Sequence, residues 1–232
     1  MITVYTITYN EEVLLPFMIN HYRQRFPSCR VVVHDNMSTD NTTKIAQANN
    51  CEVISFGTNN KFKISRPMKI KNHCWKNAST DWVLVCDLDE LLDINAKELK
   101  MEEGVGTSII KTKGYNMVTL NDNLDIAGMK HGERDEGEDK SCLFNKKFID
   151  EINYSPGAHT CHPIGTIVHS KKTYKLFHYC YINYNLSVKK YKIYQKRLSQ
   201  ESIENRRDHY TFTPKEVRAL YTQARNKAIK VR

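Results

Sequence analysis

Over the first 105 residues, hydrophobic patterns typical of strands alternate with patterns typical of helices. Residues 30–34 and 83–86 are continuous apolar runs, typical of strands buried on both faces of a sheet, and residues 2–8 and 51–56 are two further predicted strands. Between them, apolar residues at helical spacing predict helices over residues 13–26, 45–48 and 67–78, with a further helix or turn over residues 91–99. Strands that alternate with helices predict a parallel, doubly wound sheet.

The pattern becomes less regular after residue 99. Strands are predicted over residues 107–112, 115–120, 142–148, 166–170 and 173–181, the last two as a hairpin around Lys171-Lys172. Residues 121–140 read as a polar, acidic loop, long enough for a mobile lid or binding loop. Residues 186–207 and 214–231 predict two basic amphipathic helices. We therefore expect one α/β domain over residues 1–232, with a mostly parallel central sheet, helices on both faces, a smaller mixed β region and C-terminal helices.

Three carboxylates directly follow the strand at residues 83–86. Asp87 and Asp89 are two positions apart, so in an extended chain they point the same way and can share one hard cation. Open α/β sheets bind their ligands at this carboxyl edge. The sequence therefore suggests a divalent metal there. The alternative is that Asp87, Asp89 and Glu90 only cap the next helix or turn.

Polar residues also follow the first two predicted strands, so they should lie on the same edge. Asp35 could accept hydrogen bonds from the hydroxyls or base of a nucleotide, or it could cap a helix. Lys69 and Lys71 could meet a pyrophosphate, or they could be solvated. The segment Gly104-Val-Gly-Thr-Ser-Ile109 lacks the third glycine of a dinucleotide fingerprint. A diphosphate would therefore have to be held by metal and lysine.

Composition and charge add a basic C-terminal region to this picture. With 40% hydrophobic and 26% charged residues, the chain is an ordinary globular protein. Of the net charge of +9, residues 170–232 carry +12, from 16 lysines and arginines against 4 acids, which leaves −3 for the rest. This region could face nucleic acid, an anionic membrane surface or a phosphate-bearing substrate, or it could be a solvated helix face.

The remaining sequence features bear on compartment and metal type. Seven cysteines without metal spacing indicate reduced thiols, and there is neither a signal-peptide pattern nor an apolar run long enough for a membrane span. We expect a soluble, cytoplasmic protein. Cys161-His162 with His159 fits no standard zinc finger or ribbon.

Three segments together resemble a known family. They are Tyr9-Asn-Glu-Glu12 ahead of Leu15-Pro16, Asp35-Asn-Met-Ser-Thr-Asp-Asn-Thr42, and Trp82-Val-Leu-Val-Cys-Asp-Leu-Asp-Glu90. In this order they look like the nucleotide-sugar-binding half of GT-A fold glycosyltransferases of the family 2-like group, which contain an Asp-x-Asp motif. The resemblance covers residues 1 to about 93. It implies a nucleotide-sugar-binding half at residues 1–105, an acceptor-side region at 106–184 and basic C-terminal helices at 185–232.

The resemblance also implies roles for individual residues. Asp35 would contact the base, Asp87 would lie near the ribose and the metal, and Asp89 would be the main ligand of a Mn²⁺ or Mg²⁺ bridging the diphosphate. The expected metal set is Asp87, Asp89 and His178, with His159 as the rival histidine. The expected donor-binding set is Thr8, Tyr9, Asn10, Glu11, Asp35, Lys69, Lys71 and Asp87.

The implied reaction transfers a sugar from a nucleoside diphosphate sugar, with UDP expected, to a glycan or other hydroxyl acceptor. Besides Asp89, we expect Asp150 or Glu151 as catalytic residues, since inverting relatives use an acid as general base. Glu90 and the acidic loop around Asp135 are further candidates.

Two other classes of function compete with this interpretation. A nucleotidyltransferase that makes the nucleotide sugar shares the metal chemistry, but it normally has a Gly-rich N-terminal loop where this chain has Thr8-Tyr-Asn-Glu-Glu12. A nucleic-acid-binding module could use the basic C-terminus with Tyr184, Tyr191 and Tyr194. The acidic sheet edge would repel phosphates, so we expect no nucleic acid partner. Peripheral membrane contact through the basic C-terminus remains an option.

Overall fold

A computed structural model describes residues 1–61, 63–120, 124–200 and 211–232. Its first half alternates strands and helices. The strands are β1 (Ile2–Thr8), β2 (Arg30–Asp35), β3 (Glu52–Ser55) and β4 (Trp82–Asp87). The helices are α1 (Leu15–Arg25), α2 (Thr42–Ala48) and α3 (Ser65–His73). The predicted alternation over residues 1–87 is therefore confirmed.

The strands β1 to β4 form a parallel sheet with β1 at its centre. Strand β1 pairs with β2 on one side and β4 on the other, and β3 pairs with β2. In this register Thr8 is opposite Asp35, and Ile7 is opposite Asp87. The tips of β1, β2 and β4 thus lie side by side on one edge, as the sequence predicts.

Helices cover both faces of this sheet, because alternate residues of each buried strand point to opposite sides. Leu84 of β4 packs in one core with Met18 of α1 and Ala46 of α2. Val83 and Val85 of β4 pack in a second core, which contains Trp75 just after α3. The predicted α/β class is confirmed.

The segment after the β4 tip differs from the prediction. Residues 91–99 do not form one helix, because β5 (Glu90–Leu92) pairs antiparallel with a distant strand. Helix α4 (Ala96–Gly104) begins later, directly after its N-cap residue Asn95. The Asn95 side chain accepts from the backbone N–H groups of Lys97 and Glu98, and the Glu98 side chain accepts from the backbone N–H of Asn95. Such a capping box fixes a helix start more strongly than apolar spacing does.

The second half is a mixed sheet that continues the first one. Among the described residues, ten strands join a single sheet, in the order β12-β7-β6-β8-β4-β1-β2-β3, with β11 pairing with β5 and β6. The added strands are β6 (Ile109–Val118), β7 (His131–Arg134), β8 (Leu143–Asn145), β11 (His169–Tyr181) and β12 (Ile229–Lys230). Strands β9 (Ile149–Glu151) and β10 (Ile164–Gly165) form a separate pair.

Several predictions for this half are wrong in detail. The two strands predicted over residues 107–120 are one continuous β6. The hairpin around Lys171-Lys172 is absent because β11 continues through these residues beside β6, with an irregularity in the pairing between His169 and Thr173. The acidic loop contains β7 and a short 3-10 helix, Glu136–Glu138. Residues 121–123 of that loop lie outside the described residues.

Within its described residues, the C-terminal region contains two helices that pack near the end of β6. They are α5 (Tyr184–Arg197) and α6 (Pro214–Lys227), and Tyr221 of α6 packs with Val118 of β6 and Tyr184 of α5. Residues 201–207 of the helix predicted over 186–207 lie outside the described residues. None of the described helices combines the length and apolarity that a membrane crossing requires.

Candidate functional site

A cavity of about 560 Å³ opens at the carboxyl edge of β1 and β4. Its walls come from the tips of these strands, from α3, from the segment after the 3-10 helix, from β11 and from α5. Its wall is rich in charge. The acidic residues are Glu11, Asp87, Asp89, Glu90 and Glu138, and the basic residues are Lys63, Lys71, Lys140, Lys190 and Arg197.

Asp87, at the end of β4, is paired with Lys71 of α3. The carboxylate oxygen Oδ2 lies 2.8 Å from the ammonium nitrogen, and Lys71 is buried. Burial by itself would raise the pKa of Asp87, but the charges of Lys71 and Lys140 outweigh it and lower that pKa. Asp87 is therefore ionised at neutral pH, with one oxygen already engaged.

Glu90 also holds the tip of β4 in place. Its carboxylate forms a buried ion pair with Lys140, and its Oε2 accepts from the backbone N–H of Asp87 at 3.3 Å. Lys140 also contacts Glu138, at 2.9 Å. Burial raises the pKa of Glu90 despite the nearby Lys140. Glu90 thus positions the tip rather than offering a free carboxylate.

Asp89 has a different set of partners, which come from the second half of the chain. Its Oδ2 lies 2.7 Å from Nζ of Lys190 on α5 and 3.7 Å from Nε2 of His178 on β11. Lys190 also lies 3.4 Å from Oε1 of Glu11. Burial would raise the pKa of Asp89, but Lys190 and His178 hold it well below its usual range.

His178 is a cation in this arrangement. Its Nδ1–H donates to Oδ1 of Asn116 at 2.8 Å, and its Nε2 faces Asp89. Burial would lower the pKa of His178, but the nearby carboxylates of Asp89 and Glu138 raise it to about 9. The antiparallel pairing of His178 with Glu90 places the ring at the β4 tip.

The predicted metal set is only partly brought together. Asp89 and His178 are adjacent, but the Asp87 oxygen faces Lys71, and in the described ranges no three His, Cys, Asp or Glu side chains are placed to hold a metal. The carboxylate of Asp89 and, in its neutral form, the imidazole of His178 are nonetheless ligand types that Mn²⁺ accepts. The ammonium group of Lys190 already lies against Asp89, so this carboxylate is in a position to bind a positive ion.

The predicted donor-binding residues at and just after the end of β1 separate into two groups. Thr8, Tyr9 and Glu11 line the cavity. Asn10 instead has a left-handed backbone (φ 55°) and holds the loop after β2, since its Oδ1 accepts from the N–H of Thr39 at 2.7 Å. Asn10 therefore orders the loop beside the cavity rather than lining it.

Four other predicted residues lie outside the cavity wall. Asp35 is 2% exposed, its Oδ2 accepts from the N–H of Ser38 at 3.0 Å, and its Oδ1 has no hydrogen-bond partner in the described part of the chain. Lys69 is exposed on α3, Asp150 is exposed on β9, and Glu151 pairs with Lys76. The rival histidine His159 does line the cavity, and its Nδ1 bonds the carbonyl of Gly137.

Arg197, at the end of α5, is a cavity residue that the sequence analysis missed. It is 3% exposed, and its guanidinium carbon lies 3.3 Å from the ring centroid of Tyr9. Its Nε and Nη2 have no hydrogen-bond partner among the described residues. Burial lowers the pKa of Arg197. This is a buried cation whose donors are available to an anionic or carbonyl-bearing ligand.

Helical spacing could have revealed this face of α5. Lys190, Tyr194 and Arg197 are at positions i, i+4 and i+7, which lie on one side of a helix, and all three line the cavity. Tyr191 lines it too, so two of the three tyrosines considered for nucleic acid stacking face this cavity. Glu138 and Lys140 gave no comparable signal, because they lie in an irregular segment.

Comparisons with known proteins give similar solved structures and one family match. No curated protein matches the sequence. Among solved structures, S. aureus TarS in complex with UDP is 16% identical with a TM-score of 0.49, over 94% of this chain and 74% of that chain. The mannosyltransferase PcManGT from Pyrobaculum calidifontis, in complex with GDP-Man and Mn²⁺, is 19% identical with a TM-score of 0.36, over 48% and 34%.

The chain is also shorter than the proteins it resembles. It spans 38% of another S. aureus TarS chain, at 16% identity and a TM-score of 0.48 over 83% of this chain. The family comparison is confined to the part that contains β1 to β4 and the acidic tip. Residues 3–105 match the family model described as glycosyl transferase family 2.

Proposed function

We propose that this chain is a glycosyltransferase of GT-A type that transfers a sugar from a nucleoside diphosphate sugar, with UDP as the expected nucleotide, to a glycan or another hydroxyl acceptor. The observation that carries the proposal is the cluster of Asp89, His178 and Lys190 at the tip of β4, inside a cavity at the carboxyl edge of the sheet. Residues 3–105, which supply this edge, match the glycosyl transferase family 2 model.

The chemistry of the cavity suits a nucleotide sugar. Its volume of about 560 Å³ is within the usual range of roughly 300–1,000 Å³ for small-molecule sites. Breaking the bond between the anomeric carbon and the diphosphate leaves negative charge on the leaving group. Lys71, Lys190, Arg197 and the protonated His178 are cations in position to stabilise that charge.

A divalent ion would add to this stabilisation. Asp89 would hold Mn²⁺ or Mg²⁺, with Asp87 close by, and His178 would join as a ligand after losing its proton, because a protonated ring has no free lone pair. The bound ion would supply Lewis-acid stabilisation of the diphosphate. Residues 1–105 would bind the donor, and residues 106–184 would shape the acceptor side. Thr8, Tyr9 and Glu11 are the donor contacts that the cavity wall supports.

Direct binding measurements test this proposal. We expect UDP and a UDP-sugar, in the presence of Mn²⁺, to bind and raise the melting temperature, and Asp89→Asn to weaken that binding at least tenfold. The matched control is Asp81→Asn, since Asp81 is exposed outside the cavity and pairs with Lys147. Calorimetric titration with UDP, GDP and their sugars would name the base. Failure of every nucleotide to bind the folded protein would reject the proposal.

A further inference from the structure

Lys190 occupies the position from which a cation would contact Asp89. Its ammonium group lies 2.7 Å from Oδ2 of Asp89 and 3.4 Å from Oε1 of Glu11, and Nε2 of His178 lies 3.7 Å from the same Asp89 oxygen. A divalent ion bound by Asp89 would therefore meet Lys190 at close range. The Lys190 ammonium group is in direct contact with this oxygen, whereas His178 is farther away, so a divalent ion that binds the same oxygen would be repelled by Lys190 at contact distance and would push it aside.

Among the three cavity lysines that pair with the acids at the β4 tip, Lys190 is the one placed to move. The side chains of Lys71 and Lys140 are 6% and 4% exposed, so each is enclosed around its ion pair. The Lys190 side chain is 31% exposed and projects from the surface helix α5. A lysine side chain has a flexible four-carbon stem, so this ammonium group can leave Asp89 without opening the core.

We propose that Lys190 is an internal counter-ion that competes with the divalent metal for Asp89 and moves to the diphosphate when metal and nucleotide enter together. This inference rests on the proposed function. When the site is empty, the ammonium group pairs with Asp89 and also lies near Glu11. When the site is filled, Asp89 would pair with the metal and the released ammonium group with a phosphate oxygen, so neither Asp89 nor Lys190 would lose a partner of opposite charge.

This exchange has a thermodynamic consequence. Metal alone must displace Lys190 into water, so it binds weakly. With the nucleotide present, the displaced ammonium group gains a phosphate partner, so metal and nucleotide each strengthen the binding of the other by the same factor. Because of this coupling, the protein should bind the metal–nucleotide complex more tightly than the metal alone or the nucleotide alone.

Manganese titration in the absence of nucleotide tests the competition. Free Mn²⁺ is measured by electron paramagnetic resonance with the full chain as wild type, Lys190→Met and Lys189→Met. We expect Lys190→Met to bind Mn²⁺ at least tenfold more tightly than the wild type. Lys189 is the neighbouring exposed lysine of α5, so its variant should match the wild type. Equal or weaker binding by folded Lys190→Met would overturn the proposal.

Two further arms complete the test. Adding Asp89→Asn to Lys190→Met should abolish the gain, and a gain that persists would mean that Mn²⁺ binds elsewhere. Adding UDP should tighten Mn²⁺ binding at least tenfold in the wild type and much less in Lys190→Met. If UDP binds no variant, the proposed function fails, but the titration without nucleotide still decides the role of Lys190. If Lys190→Met does not fold, Lys190→Gln makes the same comparison.

Discussion

At the scale of single residues, the acids at the tip of β4 have separate cationic partners. Asp87 pairs with Lys71, Glu90 with Lys140, and Asp89 with Lys190 and His178. Buried charges are tolerated only when they are paired, and removing one partner of a buried pair typically costs about 3–5 kcal/mol. The tip is therefore held in shape by ion pairs before any ligand arrives.

Arg197 departs from this rule and yields a test. Because its buried guanidinium has no carboxylate partner among the described residues, Arg197→Met should not lower the free energy of unfolding of the empty protein. The same variant should bind UDP at least tenfold more weakly, because the ligand loses a buried donor. Urea unfolding and calorimetric titration measure the two effects. A destabilised variant with unchanged UDP affinity would assign Arg197 a structural role instead.

At the scale of elements, the cavity depends on how closely the 3-10 helix packs on β6. A Cβ atom on Gly114 of β6 would lie 2.5 Å from the carbonyl oxygen of Glu138, so this crossing requires glycine. Glu138, at this crossing, and Lys140, two residues later, both line the cavity. Strand β6 thus fixes where this part of the wall stands.

Gly114→Ala tests the importance of this crossing. The added methyl group must push the segment around Glu138 away, which should lower the free energy of unfolding by about 1–3 kcal/mol and weaken UDP binding. Gly104→Ala is the control, because a Cβ atom there meets nothing within 4 Å, and alanine in α4 should be neutral or slightly stabilising. Urea denaturation of both variants gives the comparison, and equal stability would show that the segment can shift without cost.

At the scale of the whole molecule, a buried histidine of α1 forms a hydrogen bond to the end of β5. His21 is 4% exposed, and the Nε2–H of its neutral ring donates to the carbonyl of Leu92 at 2.9 Å. Burial and the nearby Arg25 lower the pKa of His21 to about 4. The folded protein thus keeps this ring neutral, whereas the unfolded chain has an ordinary histidine pKa near 6.5.

This difference predicts a loss of stability in mild acid. Between pH 6.5 and 4 the unfolded chain binds the extra proton, so the contribution of His21 is fully present above pH 6.5 and is lost as the pH falls toward 4. At pH 5 the loss is about 2 kcal/mol. His21→Gln keeps a donor for Leu92 without titrating, so its free energy of unfolding should fall less between pH 7 and pH 5. Parallel losses in both proteins would exclude His21 as the cause.

Local pattern in the sequence was enough for the first half of the fold. The apolar runs and helical spacing predicted β1 to β4 with their helices, and the parallel order then placed Thr8, Asp35 and Asp87 on one edge. These features are set by residues close together in the chain. The family resemblance also predicted that a C-terminal histidine would lie beside Asp89, and Nε2 of His178 lies 3.7 Å from Oδ2 of Asp89.

The tertiary structure alone decided how the second half completes the cavity. Strand β5 forms because its backbone pairs with that of β11, with Glu90 opposite His178. Strand β11 continues through Lys171-Lys172 because β6 lies beside it. Pairings between distant segments override local turn and helix preferences, so no local pattern announces them. The same holds for charge: the basic face of α5 reads as a solvated surface in the sequence, and only the packing of α5 over the sheet edge brings Lys190 to Asp89 and Arg197 to Tyr9.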